Sequence, residues 1–261
     1  MAPPSDEENV AELWDLNADL WTRQVRAGRD VFREVFHMPM FLDFVPDLSG
    51  LDVLDAGCGE GRNTRVFARR GARMTAVDIS PRLIQAAQDE EKREPLGIRY
   101  SLSSFTDLSR AFDDASFDAV VSTMALMDGP DFTQAARELH RVLRKGGGLY
   151  FSVTHPCFAN RDSRWLRDES GTELARMVSN YWDDHPYIEQ WGFAAGPDQT
   201  EFTILYFPYR LEDYINALCD AGFRISRIKE PRPTEAMVAQ HSRIAPFRRH
   251  VPLYLYIAAT K

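Results

Sequence analysis

An apolar run that stops at a carboxylate and then turns through three glycines constrains this chain more than any other feature. It reads LDVLDAGCGEGRNT over residues 51–64, with Gly57, Gly59 and Gly61 at alternate positions and an arginine-studded helical stretch behind them. Glycine carries no Cβ, so such a loop lets backbone come close to a ligand. Further short apolar runs follow: RMTAVD, IRYSL, FDAVVS and GLYFSV, separated by amphipathic or Gly/Pro-marked segments. SPRLIQAAQDEEKRE opens on a Ser-Pro cap signal, and DFTQAARELHRVL puts Phe132, Ala135, Ala136, Leu139 and Leu143 on one helical face. This alternation predicts an α/β fold, a parallel sheet doubly wound with helices on both faces. Such sheets take ligands beyond the carboxyl ends of their strands.

The alternation has flanks of a different kind. Residues 8–36 read as helical, with Val10, Leu13, Trp14, Trp21 and Val25 at mixed three-and-four spacing, Gly28 as an interruption and Asp30 as a cap for VFREVFHM. Near residue 155 the rhythm breaks into a loop-like stretch rich in aromatic residues. RLEDYINALCDAGF then restores a helix stopped by Gly222, and RISRIKE and LYLYIAAT supply two closing strands. The expected organisation is an N-terminal helical segment over 1–50 that contributes to a lid and a ligand-binding core over 51–154. A cap insertion over 155–209 and a C-terminal completion of the sheet over 210–261 follow.

At 261 residues and 44% hydrophobic content, the chain can bury a proper core as one large domain or one domain with a sizeable insertion. The formal net charge of −8 argues against a nucleic-acid backbone as partner, which needs clustered Lys and Arg. Cys58, Cys157 and Cys219 lie far apart without a CxxC or His-rich pattern, so neither a disulfide framework nor a metal site is expected. The start MAPPSDEENV lacks a signal-peptide layout, and no apolar run approaches the roughly 18 residues of a membrane span. A cytoplasmic protein with no membrane partner is the expectation; a homodimer is left open.

The glycine loop narrows the ligand. Arg62 stands where a dinucleotide fingerprint would place its last glycine, and Asp55 beside the loop would repel a pyrophosphate. A ligand with an ammonium and no phosphate would welcome that carboxylate, and S-adenosylmethionine is such a ligand. Asp78 ends the next strand, 19 residues after Gly59, about where an acid that accepts both ribose hydroxyls should lie. Ile79 beside it is placed to pack on the adenine. The bland alternative is a tight strand-to-helix turn with Asp78 capping SPRLIQ.

VLDAGCGEGRNT, VDIS, SFDAVVS and ELHRVLRKGGGLYFS, in that order and spacing, resemble the class I S-adenosylmethionine-dependent methyltransferases. Within them the likeness is to the small-molecule group similar to ubiquinone/menaquinone-biosynthesis methyltransferases. The resemblance covers about residues 50–155 well and 210–261 moderately, and it is specific for cofactor and fold but not for the acceptor. It implies a Rossmann-like sheet of seven strands whose last is antiparallel. It also implies that Asp55, Gly57 and Gly59 surround the methionine and ribose part, that Asp78 takes the ribose hydroxyls, and that Thr123 and Met124 border the sulfonium. S-adenosylhomocysteine would be the product. After the third strand the family usually carries an acid for the adenine amino group; here LSSFTDL offers Ser104 and, as a main-chain donor, Phe105.

Methyl transfer is an in-line displacement at an activated carbon, so positioning supplies much of the acceleration. A general base is needed only for an acceptor protonated at neutral pH. His155, at the carboxyl end of the fifth strand, is the candidate base, against the alternative of a histidine bonded to a loop before Pro156. Residues 155–209 hold 11 aromatics in 55 positions, a fifth, against 11% for the whole chain. Large rings outside the scaffold suggest a lid over an aromatic or apolar acceptor, although a satellite core would use them too. Trp21, Tyr181, Trp182, His185 and Tyr206 are the expected acceptor contacts. The sequence therefore predicts methyl transfer to oxygen, nitrogen or carbon of a small metabolite. RNA or protein methylation is one alternative; a methyltransferase-like protein with a non-methylating activity such as cyclisation is the other.

Overall fold

The computed structural model describes residues 6–193 and 201–261, so the expected segments 1–50 and 155–209 each extend in part beyond the described residues. Helix α1 (Asp6–Arg26) opens on Asp6, Glu7 and Glu8 and closes on Arg23 and Arg26, charges that complement the helix dipole at both ends. Its buried face is Val10, Asn17, Ala18 and Val25. Gly28 ends it in the left-handed conformation, and Asp30 starts the next turn, its Oδ1 accepting the Arg33 N–H at 3.0 Å. A π-helical turn over Phe32–His37 runs straight into α2 (Met38–Phe44).

From there the strand–helix rhythm holds: β1 (Asp52–Ala56), α3 (Arg62–Arg69), β2 (Arg73–Asp78), α4 (Pro81–Arg93), β3 (Arg99–Leu102), β4 (Phe117–Thr123), α5 (Phe132–Val142) and β5 (Leu143–Thr154). Ser80 caps α4 by accepting the Leu83 N–H, and Asp131 caps α5 by accepting that of Gln134 at 2.8 Å. Four strands follow in the cap, β6 (Arg164–Arg167), β7 (Glu173–Met177), β8 (Tyr187–Trp191) and β9 (Phe202–Tyr206). The chain closes with α6 (Leu211–Asp220), β10 (Arg224–Lys229), the short helices α7 (Glu235–Gln240) and α8 (Ala245–Arg249), and β11 (Tyr254–Thr260).

The main sheet has seven strands in the order β10-β11-β5-β4-β1-β2-β3, and β11 is antiparallel to both of its neighbours. Successive residues of a strand face opposite sides. Leu54, Val120 and Leu149 thus enter the core beneath α5 and α6, while Val53 and Val121 enter the one beneath α2 with Phe41, Phe44 and Tyr256. Chain order reverses between β1 and β4, and that switch point is where a doubly wound sheet opens a crevice.

One expectation is corrected. The stretch after residue 155 is not a loop: β6 pairs with β7 and β8 with β9 as antiparallel hairpins. The second hairpin is held by cross-strand rings, Tyr187 on Tyr206 and Trp191 on Phe202, each pair with centroids 5.2 Å apart. Those partners lie 11 to 19 residues apart in sequence, so local periodicity does not show them.

Candidate active site

The glycine loop leaves β1 with the Gly57 and Cys58 N–H groups both donating to the Val77 carbonyl at 2.9 Å. Gly57 has φ +81°, and a Cβ there would lie 2.4 Å from the Cβ of Ala125, so glycine is required both by conformation and by space. Gly59, at φ +56°, turns its N–H onto Asp78 Oδ2 at 2.8 Å, while the Ser80 N–H reaches Asp78 Oδ1 at 3.0 Å. Asp78 therefore joins the end of β2 to the loop after β1. Burial pushes its pKa up to about 6, against the lowering effect of those two N–H groups.

This junction opens on one continuous cavity of about 440 Å³. Gly57, Gly59, Asp78, Ile79, Ser104, Phe105, Thr123 and Met124 all line it, as does Trp21 of α1 and Tyr206 of the cap. Met124 is held at φ +56°, an uncommon conformation for a residue with a side chain. It is fixed by its N–H on the Ser152 carbonyl at 3.0 Å. Ser152 Oγ lies 2.8 Å from His37 Nε2; burial lowers the His37 pKa to about 3, so that ring is neutral. A half-buried chain of side chains runs beside the loop: the Arg33 Nε–H donates to Asn63 Oδ1 at 2.7 Å, and Asn63 Nδ2 donates to Thr123 Oγ1 at 2.8 Å.

The residues present fit S-adenosylmethionine. The loop leaves room beside Gly59, where a Cβ would meet only Trp21 Nε1, at 3.8 Å. Asp78 is an acceptor-only group where ribose hydroxyls need one, and Ile79, Leu83 and Phe105 provide apolar faces for a purine. The Ser104 hydroxyl is 2.7 Å from that of Thr106, whose own Oγ1 donates to Glu7 Oε1 at 2.7 Å. Glu7 also lines the cavity, so an acid from α1 stands at the corner where an acid at position 104 is missing.

Five other expected positions fall elsewhere. Asp55 does not line the cavity: it is buried behind the loop, where Oδ2 accepts the Thr64 hydroxyl at 2.6 Å and Oδ1 has no partner. Its burial pushes its pKa up to about 7. His155 does not reach the cavity either. Its Nε2 is 2.8 Å from Glu230 Oε1 and its Nδ1 accepts the Cys157 N–H at 3.3 Å, so both ring nitrogens are taken and the expected base is corrected to a structural contact. Tyr181 accepts the Leu211 N–H, and Trp182 is 73% exposed. His185 is exposed and holds Asp183 at 2.8 Å. These last three line no part of the cavity; of the four cap strands, only β8 and β9 contribute residues to it.

Sequence reading also missed residues that do line it. Asp128 and Glu189 line it with Trp14, Trp191 and Phe193, and so do Arg33 and Asn63. Asp128 sits in LMDGP, which reads as a Gly-Pro turn, and no local signal separates a buried turn acid from a solvated one.

Comparison with known proteins agrees with this geometry. Residues 54–151 match the family described as a methyltransferase domain. A Haemophilus influenzae protein of uncharacterized function is 26% identical over 231 residues, 87% of this chain and 85% of that one. The ubiquinone biosynthesis O-methyltransferase of Xanthomonas oryzae pv. oryzae is 38% identical over 118 residues, 44% of this chain. The match spans about half, 49%, of that relative's length. The crystal structure of an S-adenosylmethionine-dependent methyltransferase from Mesorhizobium loti has the same fold, with a TM-score of 0.71 at 23% identity over 88% of this chain and 100% of that one. The glycine loop tied to Asp78, the seven-stranded sheet and the family match together make residues 54–151 a methyltransferase domain, set in the fold of the S-adenosylmethionine-dependent methyltransferases.

Proposed function

We propose that the chain transfers the methyl group of S-adenosylmethionine to a heteroatom of a small aromatic or apolar acceptor enclosed beneath α1 and the β8–β9 hairpin. The observation that carries this reading is the continuity of one cavity from the glycine loop and Asp78 to the rings of Trp14, Trp21, Trp191 and Tyr206. A bound S-adenosylmethionine supplies an electrophilic methyl carbon on a positively charged sulfur. The residues of the chain have to orient and exclude water. Trp21 packs against Trp14, Trp191, Phe193 and Phe202 with centroids 5.3 to 5.8 Å apart, which closes the roof with apolar surface. Aromatic faces also favour a neighbouring cation. Asp78 and Gly59 would hold the nucleoside end, while Met124 and Thr123 would border the methyl. A concave cavity of this size favours a small acceptor over a polymer.

The test is to incubate methyl-labelled S-adenosylmethionine with cell extract, with and without the protein, and to separate the label into small molecules, protein and nucleic acid. Label in an organic-soluble small molecule is the expected result. Label confined to protein or RNA would overturn the acceptor class, and no transfer despite tight cofactor binding would favour a non-methylating activity.

A further inference from the structure

Two acids in the cavity are not used by the cofactor. Asp128 ends the 3₁₀ turn Leu126–Asp128 after β4; it is 7% exposed, and its Oδ1 has no hydrogen-bond partner. Glu189 comes from β8 in the cap and lines the same cavity. The neighbouring hydroxyls are already committed to each other, Thr154 Oγ1 and Tyr206 OH at 3.0 Å. Of the arginines that line the cavity, Arg33 is bonded to Asn63 and Glu34, Arg62 to Glu34, and Arg243 lies over the Phe32 ring; Arg29 lines it as well. Burial, and after it the negative charges of Glu189 and Asp78, hold the Asp128 carboxyl well above its usual range.

A buried acceptor with no donor is unfavourable unless a ligand brings one. Two acids in a lining of aromatic rings complement a positive charge better than a neutral hydroxyl, which would leave the like charges facing each other. Trp14, Trp191 and Tyr206 add ring faces that attract a cation. We propose that Asp128, together with Glu189, recognises the methyl acceptor and that this acceptor is an amine: a primary or secondary ammonium on an aromatic or apolar body. This rests on the methyltransferase reading above.

The positive charge of a bound ammonium favours the Asp128 carboxylate, and in that form Asp128 takes one proton from the ammonium and frees the nitrogen lone pair. The C–N bond forms as the C–S bond breaks, with the electron pair staying on sulfur. Asp128 ends protonated and the product ends as a methylated ammonium, so charge and protons balance. Glu189 then has a positioning role, keeping the cation beneath the cap.

The test uses the full chain saturated with S-adenosylhomocysteine and three probes of one skeleton: tryptamine, tryptophol and indole-3-acetate. Calorimetry is expected to show tryptamine binding at least tenfold more tightly than indole-3-acetate, with tryptophol between them. Asp128→Asn and Glu189→Gln should each reduce that preference at least fivefold while S-adenosylhomocysteine binding stays within twofold. Equal, reversed or undetectable binding of tryptamine would overturn the proposal, as would variants that keep the preference. A loss of S-adenosylmethionine but not S-adenosylhomocysteine affinity in Asp128→Asn would assign the acid to the sulfonium and overturn it too. Failure of the wild-type chain to bind S-adenosylhomocysteine at all would instead defeat the methyltransferase reading, and the amine assignment with it.

Discussion

Trp21 donates its indole N–H to Glu60 Oε2 at 2.9 Å, joining the N-terminal helix to the glycine loop across 39 residues of sequence. The bond makes α1 part of the binding site, since Trp21 and Glu60 both line the cavity. Trp21→Phe keeps most of the ring packing and removes only the donor. A hydrogen bond to a charged group contributes about 1.5–3 kcal/mol when buried, and less at this half-buried position. Affinity for S-adenosylhomocysteine is expected to fall about three- to tenfold in calorimetry. Unchanged affinity would separate the roof from the cofactor.

Asp78 carries the nucleoside assignment. Asp78→Ala removes the acceptor for the Gly59 and Ser80 N–H groups as well as for the ribose, and should weaken S-adenosylmethionine binding tenfold or more, about 1.5–3 kcal/mol. The ionised carboxylate is the form that accepts both hydroxyls. With its pKa raised by burial to about 6, affinity in the wild type should fall as pH drops through that value. Calorimetry at pH 5 and pH 8 reads the difference; equal affinities at both would argue against the pose.

Asp55 predicts a stability profile rather than a binding one. Its carboxyl is raised from 3.8 to about 7, chiefly by burial. Between those values the folded chain keeps a proton that the unfolded chain has released. Its stabilising contribution is therefore complete below the unfolded pKa and is lost as pH rises through about 7. While that difference holds, the slope is at most about 1.4 kcal/mol per pH unit. Asp55→Asn should flatten the urea-unfolding profile between pH 5 and pH 8, and an unaltered slope would show that Asp55 is not protonated in the fold.

His155 separates a structural role from a chemical one. With Nε2 on Glu230 and Nδ1 on the Cys157 N–H, the ring braces the end of β5 against the segment after β10. His155→Gln should lower the melting temperature, at a cost of about 1 kcal/mol for the lost contacts, and leave methyl transfer within twofold. A large fall in turnover at unchanged cofactor affinity would restore it as a base.

Much of the frame was legible in the chain. Gly57, Gly59 and Asp78 are local features, a turn and a strand end whose chemistry depends on residues next to them, and all three line the cavity. The burial rhythm of β1, β2, β4 and β5 likewise follows from apolar runs of a few residues. His155 and Asp55 show where that reading stops: each stands at a strand end on the ligand side, yet each turns to a partner, Glu230 or Thr64, whose position comes from folding.

By itself, then, the sequence determined a doubly wound sheet, a phosphate-free nucleoside site and an aromatic-rich cap, because strand periodicity, glycine turns and composition act over short range. Only the tertiary structure decided which cap rings face inward, that Trp21 and Glu7 of α1 line the same cavity as the glycine loop, and that Asp128 and Glu189 line it too. The reason is physical: burial and the pairing of charges depend on distances between segments far apart in the chain, and those distances are set by packing the two faces of one sheet.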